Sequence, residues 1–224
     1  DADVARGYRL DSVVTVVDAL HGAAALDRHV EARRQAALAD RLVLSKTDIA
    51  GPAAALRQRL AALNPGVATL PAGEIVPASL FDAGDADGRA LRLATLPPVP
   101  AGNPFDRAQH SDGVTSFPLQ RDRPLPALAL TLLLQALAEH CGARLLRLKG
   151  LVDVAEMPGQ PALIHGVQHV FAPPGFLPRW PSADHTTRLV FITQGVPPHF
   201  PARLLAAIEA GVVEAMQDSD APSL

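Results

Sequence analysis

A chain of 224 residues, 48% hydrophobic and 19% charged, has the apolar content of one or two domains with real cores and not that of a disordered polymer. Its formal net charge of −3 gives no electrostatic footprint for nucleic acid or an anionic membrane. No apolar stretch approaches the ~20 residues that span a bilayer, and the N-terminus has no signal-peptide pattern, so neither nucleic acid nor membrane is an expected partner. Cys141 is the single cysteine, which excludes an intramolecular disulfide and fits a reducing compartment, so the cytoplasm is the expected location. A first residue Asp1 rather than Met is what a fragment or processed product would show.

In chain order, Leu10 to Leu20 reads as a buried strand, because Val13-Val14-Thr15-Val16-Val17 is β-branched throughout and closes at Asp18. Ala23 to Leu38 reads as a helix, Arg41 to Leu44 as a second strand, Pro52 to Leu63 as a second helix stopped by Asn64-Pro65-Gly66, and Val67 to Leu70 as a third strand. Strands alternating with helices predict parallel βαβ units, whose ligands bind at the carboxyl ends of the strands. From Pro71 to Ser111 the periodicity dissolves into Gly, Pro, Asp and Ala, which predicts a linker with one short helix near Ser79–Phe81.

A second domain follows. Val114–Leu119 reads as a strand and Pro124-Leu125-Pro126 opens a helix to His140, stopped by Cys141-Gly142. Arg144–Val152, Leu163–Val170 and Arg188–Thr193 read as strands, and Ala202–Met216 as a final helix. The β-α-β-β-β-α order predicts an antiparallel sheet with helices on one face. The expected layout is residues 1–72 as an α/β domain, 73–111 as linker, 112–217 as a smaller α+β sandwich and 218–224 as a tail.

Ser45-Lys46-Thr47-Asp48 directly follows the apolar run Leu42-Val43-Leu44. The pattern [Asn/Thr/Ser]-Lys-x-Asp at a strand end suits guanine recognition. An aspartate carboxylate there accepts the ring N–H and the exocyclic amine together, and adenine offers neither donor. The lysine stem lies along the base with its ammonium turned to water. Of the twenty Lys and Arg residues only Lys46 and Lys149 are lysine. A polar turn, with Asp48 capping the helix that opens near Pro52, is the alternative. Asp18, at the end of the first strand, either caps the following helix or lines the same pocket.

Laid out this way, the sequence resembles the CobW-type family of GTPases and metallochaperones over most of its length. Tyr8 to Ala19 is similar to the family's strand ending in Val-Asp-Ala. Gln35, Ala39-Asp40-Arg41 and Leu44 to Asp48 are similar to its Gln … Ala-Asp-Arg … Lys-Thr-Asp run. In the second domain Arg147-Leu148-Lys149-Gly150 resembles the family's Arg-x-Lys-Gly motif, continued by Gly166-Val167-Gln168 and by Trp180 through His185 to Ile192. The resemblance implies the C-terminal half of a P-loop GTPase-like parallel sheet, with Ser45, Lys46, Asp48 and Asp18 as nucleotide-binding residues. It also implies GTP and Mg²⁺ as cofactors of the complete protein, zinc or cobalt as cargo, and a role in metal or cobalamin homeostasis. Its implied partners are a client metalloprotein and further copies of the chain.

No Gly-x-x-x-x-Gly-Lys-[Ser/Thr] loop occurs, since neither lysine has a glycine before it, and the family's Cys-x-Cys-Cys and Glu-x-x-Gly boxes are absent as well. The expectation is a chain cut inside the GTPase domain, with an exposed sheet edge and little nucleotide affinity or hydrolysis of its own. The competing expectation is a non-enzymatic module whose C-terminal sheet docks a client protein. His165 and His169 stand four apart, which on one strand is ~13 Å and too far for a shared ion. His110 and His185 have no second ligand at a useful spacing. Lys149 is expected to pair with Asp153 or Glu156 beside a glycine kink at Gly150, and Cys141 to be a buried, inert thiol.

Overall fold

The computed structural model describes residues 12–80 and 113–219. The chain divides into two compact units, Asp1–Arg89 and Ala90–Leu224. The first holds a three-stranded parallel sheet in the order β1 (Val14–Asp18), β2 (Arg41–Ser45), β3 (Ala68–Pro71). Connecting helices are α1 (Gly22–Arg28), α2 (Val30–Leu38), the single turn α3 (Thr47–Ala50) and α4 (Ala54–Leu63); α5 (Pro77–Leu80) follows β3. The α/β reading of this half therefore holds. Leu42, Val43 and Leu44 of the central strand are buried, with Leu26, Ala36, Ala37, Leu56, Leu60 and Leu63 from the helices around them.

Three local expectations change. The helix expected over Ala23–Leu38 is two helices, broken at His29, which is extended (φ −121°, ψ 116°). The break frees carbonyls at the end of α1, and the buried guanidinium of Arg33 donates to those of Leu26 and Asp27. The next helix starts at Ala54 rather than Pro52, behind Ala53 in the left-handed region (φ 46°), with no side-chain cap, so Asp48 caps nothing there. The first strand is shorter than Leu10–Leu20 and is not buried throughout: among the described residues it is an edge, and only Val17 is covered.

Among the described residues that edge is apolar and unguarded. Val13, Val14 and Val16 are 38%, 37% and 65% exposed. Unpaired apolar edges promote strand addition between molecules, and a lysine on the edge opposes it. Val16→Lys is expected to change stability by less than ~0.5 kcal/mol, because the side chain is mostly in water. It is also expected to suppress concentration-dependent association measured by light scattering. Association undiminished in the variant would count against β1 as the sticky element.

The second unit is an antiparallel sheet in the order β4 (Val114–Arg121), β9 (Thr187–Gln194), β5 (Leu145–Val152), β6 (Ala162–Val167), β7 (Val170–Phe171), with β8 (Gly175–Phe176) also pairing β6. Helices α6 (Ala127–Cys141) and α7 (Phe200–Ser219) complete it. Buried Leu130, Leu133, Leu134, Leu137 and Cys141 recur at helical spacing along α6. They share one core with Phe117, Leu148, Ile164 and Phe191 of the sheet and Leu205 of α7. Each of those leucines contributes about 1.5–3 kcal/mol relative to exposure. The helix starts with Glu156 Oε2 accepting the Ala127 N–H (2.8 Å), and Arg121 of β4 meets Glu209 of α7 at 2.5 Å.

Residues 163–170 are not one strand. Gln168 takes a left-handed conformation (φ 54°), and the chain reverses so that Val167 pairs Val170. His169 therefore stands in the turn, not on the strand of His165. Glu156 Oε2 serves the start of α6, and Lys149 lies buried in β5 opposite His165. Gly150 is needed for a different reason than a kink: it sits in regular register opposite Leu189, where a Cβ would lie 2.1 Å from the Arg188 carbonyl oxygen.

Candidate functional site

Parallel pairing sets β1 and β2 so that Asp18 lies opposite Ser45, and both strands end together. The Ala19 N–H donates to the Ser45 carbonyl (2.9 Å), which extends the ladder one step past the strand ends. At the opposite ends, the Asp40 N–H donates to the Val13 carbonyl (2.7 Å) and Asp40 Oδ2 accepts the Val13 N–H (3.0 Å). Asp40, from the Ala39-Asp40-Arg41 run, thus locks the register that brings Asp18 to the Ser45–Asp48 segment.

Past Ser45 the chain turns sharply. Lys46 is left-handed (φ 59°, ψ 27°), and its carbonyl accepts the N–H groups of Ile49 (3.2 Å) and Ala50 (2.9 Å) to close α3. A left-handed lysine is an uncommon, mildly strained conformation, and such residues concentrate at functional sites. The turn sends the Lys46 side chain back to β1, where Nζ meets Asp18 Oδ2 at 2.6 Å. The other oxygen, Oδ1, accepts the N–H groups of Leu20 (2.8 Å) and His21 (3.2 Å). Asp18 therefore serves the turn into α1 and the Lys46 ammonium at once.

The Lys46 hydrogen bond, helped by the two backbone N–H groups, lowers the Asp18 carboxyl to about 2, against partial desolvation that acts the other way. A depressed carboxyl pKa stabilises the fold above the unfolded-state value of 3.8. That contribution disappears only as pH falls from there through about 2, so the ion pair persists over the whole neutral and mildly acidic range.

Of the residues singled out from the sequence, the fold brings Asp18, Ser45 and Lys46 together. Ser45 Oγ reaches only 3.5 Å from the Val17 carbonyl, a marginal hydrogen bond. Asp48 stands in the first turn of α3, exposed, and its carboxylate takes no hydrogen bond or ion pair among the described residues. The Lys46–Asp18 pair joins residues 28 apart and is not a spacing a linear reading detects. The one hint was that a retained lysine and a strand-end aspartate both fall at strand carboxyl ends.

Elsewhere, His110 lies outside the described residues. His165 Nε2 is 3.1 Å from Arg147 Nη2, and His185 stacks on Trp180 with ring centroids 5.0 Å apart. Among the described residues no three His, Cys, Asp or Glu side chains converge as a metal site, and no helix is long and apolar enough to cross a membrane. Cys141 is buried at the end of α6, and desolvation raises its thiol pKa above the ordinary value of 9.0.

Two family models match the chain: the CobW/HypB/UreG nucleotide-binding domain over residues 1–71 and the cobalamin synthesis protein cobW C-terminal domain over residues 114–210. Zinc chaperone YjiA of Escherichia coli K12 is 29% identical over 187 residues, which is 83% of this chain and 57% of that protein. The Zn(II)-bound crystal structure of the E. coli YjiA GTPase superposes with a TM-score of 0.72 at 25% identity, over 93% of this chain and 64% of that one. A Zn(II)-bound triple mutant of YjiA GTPase gives the same score over 92% and 63%. The chain thus spans less than two thirds of the length of these relatives. The fold is that of a mixed α/β protein with a GTPase-like parallel sheet and a second, antiparallel sheet, and the chain belongs to the CobW-type family of GTPases and metallochaperones.

Proposed function

We propose that this chain supplies the guanine-reading part of a GTP-dependent metal-handling protein whose phosphate-binding loop lies outside these 224 residues. The observation that carries the reading is the exposed carboxylate of Asp48, without a hydrogen bond or ion pair among the described residues, just past the carboxyl end of β2 and two residues from Lys46 of the Lys46–Asp18 pair. Asp48 accepts the two guanine N–H groups, the Lys46 stem covers the base, and Ser45 and Asp18 belong to the same strand-end pocket. Bound GTP and its Mg²⁺ supply the phosphate chemistry, which these residues do not touch. Alone, the chain binds nucleotide weakly and does not hydrolyse it. Zinc is the favoured cargo, on the strength of the relative named a zinc chaperone, and cobalt the other candidate. The cytoplasm is the proposed location.

In the complete protein Asp48→Asn replaces an acceptor by a donor facing the ring N–H. The expected result is a loss of GTP affinity of roughly 100-fold or more, with preference moved toward xanthosine triphosphate, read by competition binding. A GTP preference unaltered by the substitution would remove Asp48 from the site.

A second reading has its own observation. Val167 and Val170, paired across β6 and β7, are 38% and 62% exposed, and Phe176 of β8, opposite Ala162 at the other end of β6, is 45% exposed. An apolar sheet edge of this kind suits strand addition by a client metalloprotein, so that residues 112–217 act as a docking module. Self-association through the β1 edge is the corresponding proposal for homo-oligomers.

A further inference from the structure

We propose that Asp18 is a positioning residue of the base site: it clamps the Lys46 ammonium so that the aliphatic stem of Lys46 is held ready as a platform for guanine, and it does not itself touch the base. The inference rests on the reading of Ser45–Asp48 as a guanine site and adds a role that reading does not require.

The geometry points to it in three steps. The Asp18 carboxylate cannot rotate freely, because Oδ1 is held by two backbone N–H groups, from Leu20 and His21, while Oδ2 faces Lys46 Nζ at 2.6 Å. The Lys46 backbone cannot swing either. It is fixed in the left-handed region between the end of β2 and the turn of α3, whose last two residues, Ile49 and Ala50, donate their N–H groups to its carbonyl. Between these fixed ends the side chain is still 50% exposed, so its stem is available to a ligand while its head is tied. A free surface lysine loses most of its rotamer entropy when a base packs on it. A lysine already tied by its head has lost that entropy on folding, and the base binds to an ordered stem. An exposed ion pair contributes little to stability in itself, so fold maintenance gives no strong reason for this one.

The test uses the 224-residue chain, ¹H–¹⁵N NMR and guanosine monophosphate at millimolar concentration, with adenosine monophosphate as the competitor base. Asp18→Asn keeps the oxygen that accepts from Leu20 and His21 and replaces the one facing Lys46. Lys46→Met keeps an apolar stem and removes the ammonium. In the wild type, guanosine monophosphate and not the adenosine nucleotide is expected to shift the Ser45–Asp48 amides. Asp18→Asn is expected to weaken that binding roughly five- to tenfold, as expected for freeing one long side chain, and to increase Lys46 methylene mobility, with base preference retained. In a Lys46→Met background the same Asp18 substitution should have no further effect on affinity. Asp18→Asn binding like wild type, or weakening binding equally with Met at position 46, overturns the positioning role and leaves the guanine site standing. A wild type with no guanine-selective shift overturns both.

Discussion

Gly150→Ala is expected to unfold the second unit under conditions in which the wild type is fully folded. Gly150 lies in the middle of β5, opposite Ile164 on β6 and Leu189 on β9. A Cβ built there stands 2.1 Å from the Arg188 carbonyl oxygen and 2.8 Å from the Leu189 Cα. Both are backbone atoms, so no rotamer change relieves the overlap; β5 and β9 must separate. Every residue of β5 is buried, and the strand has a neighbour on either side, so the separation breaks ladder hydrogen bonds and opens the core around Phe191. The loss should be about 4 kcal/mol or more, in the tail of single-substitution effects that overpacking and backbone displacement produce. Trp180, the single tryptophan and a buried one, lies in this unit, and its fluorescence in a urea titration follows the unit separately from the rest of the chain. The control is Gly211→Ala in α7, where nothing lies within 4 Å of the new methyl group. There the exchange should stabilise by about 0.5–1 kcal/mol. A Gly150→Ala midpoint close to wild type would show that β9 approaches β5 less closely than this.

How far such features are legible in the sequence depends on whether the interaction is local. The stripe of α6 is written in its own leucines, and β2 in Leu42-Val43-Leu44, because burial on one stripe or on both faces dictates residue type position by position. The strand-end placement of Ser45–Asp48 follows from the same run. The break at His29 is not legible, since it is secured by Arg33 reaching back to carbonyls six and seven residues earlier. Neither is the Lys46–Asp18 contact, which exists only because parallel register aligns two strand ends and a left-handed Lys46 aims its side chain at β1. Gln168 misleads for a related reason. Glycine or asparagine would have signalled a hairpin there, and glutamine at φ 54° gives no such sign, so two strands read as one. At Lys149 and Gly150 the sequence showed that something constrained was present. Only the strand neighbours reveal that the constraint at Gly150 is space.

Asn64→Ala is expected to cost the first unit about 2–4 kcal/mol and to loosen the candidate site without touching it. Asn64 follows the last residue of α4, fully buried, and its amide nitrogen donates to the carbonyls of Ala36 (2.8 Å) and Ala39 (2.9 Å). Those acceptors are carbonyls at the end of α2 and at the step into β2, and they lie among Ala36, Ala37 and Ala39, all essentially without solvent contact. Alanine leaves both carbonyls dry and without that donor, at about 1–3 kcal/mol each before relaxation. It also removes a side chain that ties the end of α4 to the end of α2 and to Ala39, just before β2, and so loosens the strand that carries Lys46. Amide hydrogen exchange reads this directly: protection of Leu42, Val43 and Leu44 should fall by the corresponding factor, while the Trp180 transition of the second unit stays where it was. Protection of the β2 amides equal to wild type would mean that solvent or a neighbouring donor takes over both carbonyls. An equal fall in the second unit would mean that the two units do not unfold independently. If the β2 protection alone is lost, the orientation of the Lys46 stem depends on an asparagine at the far end of the strand that carries it.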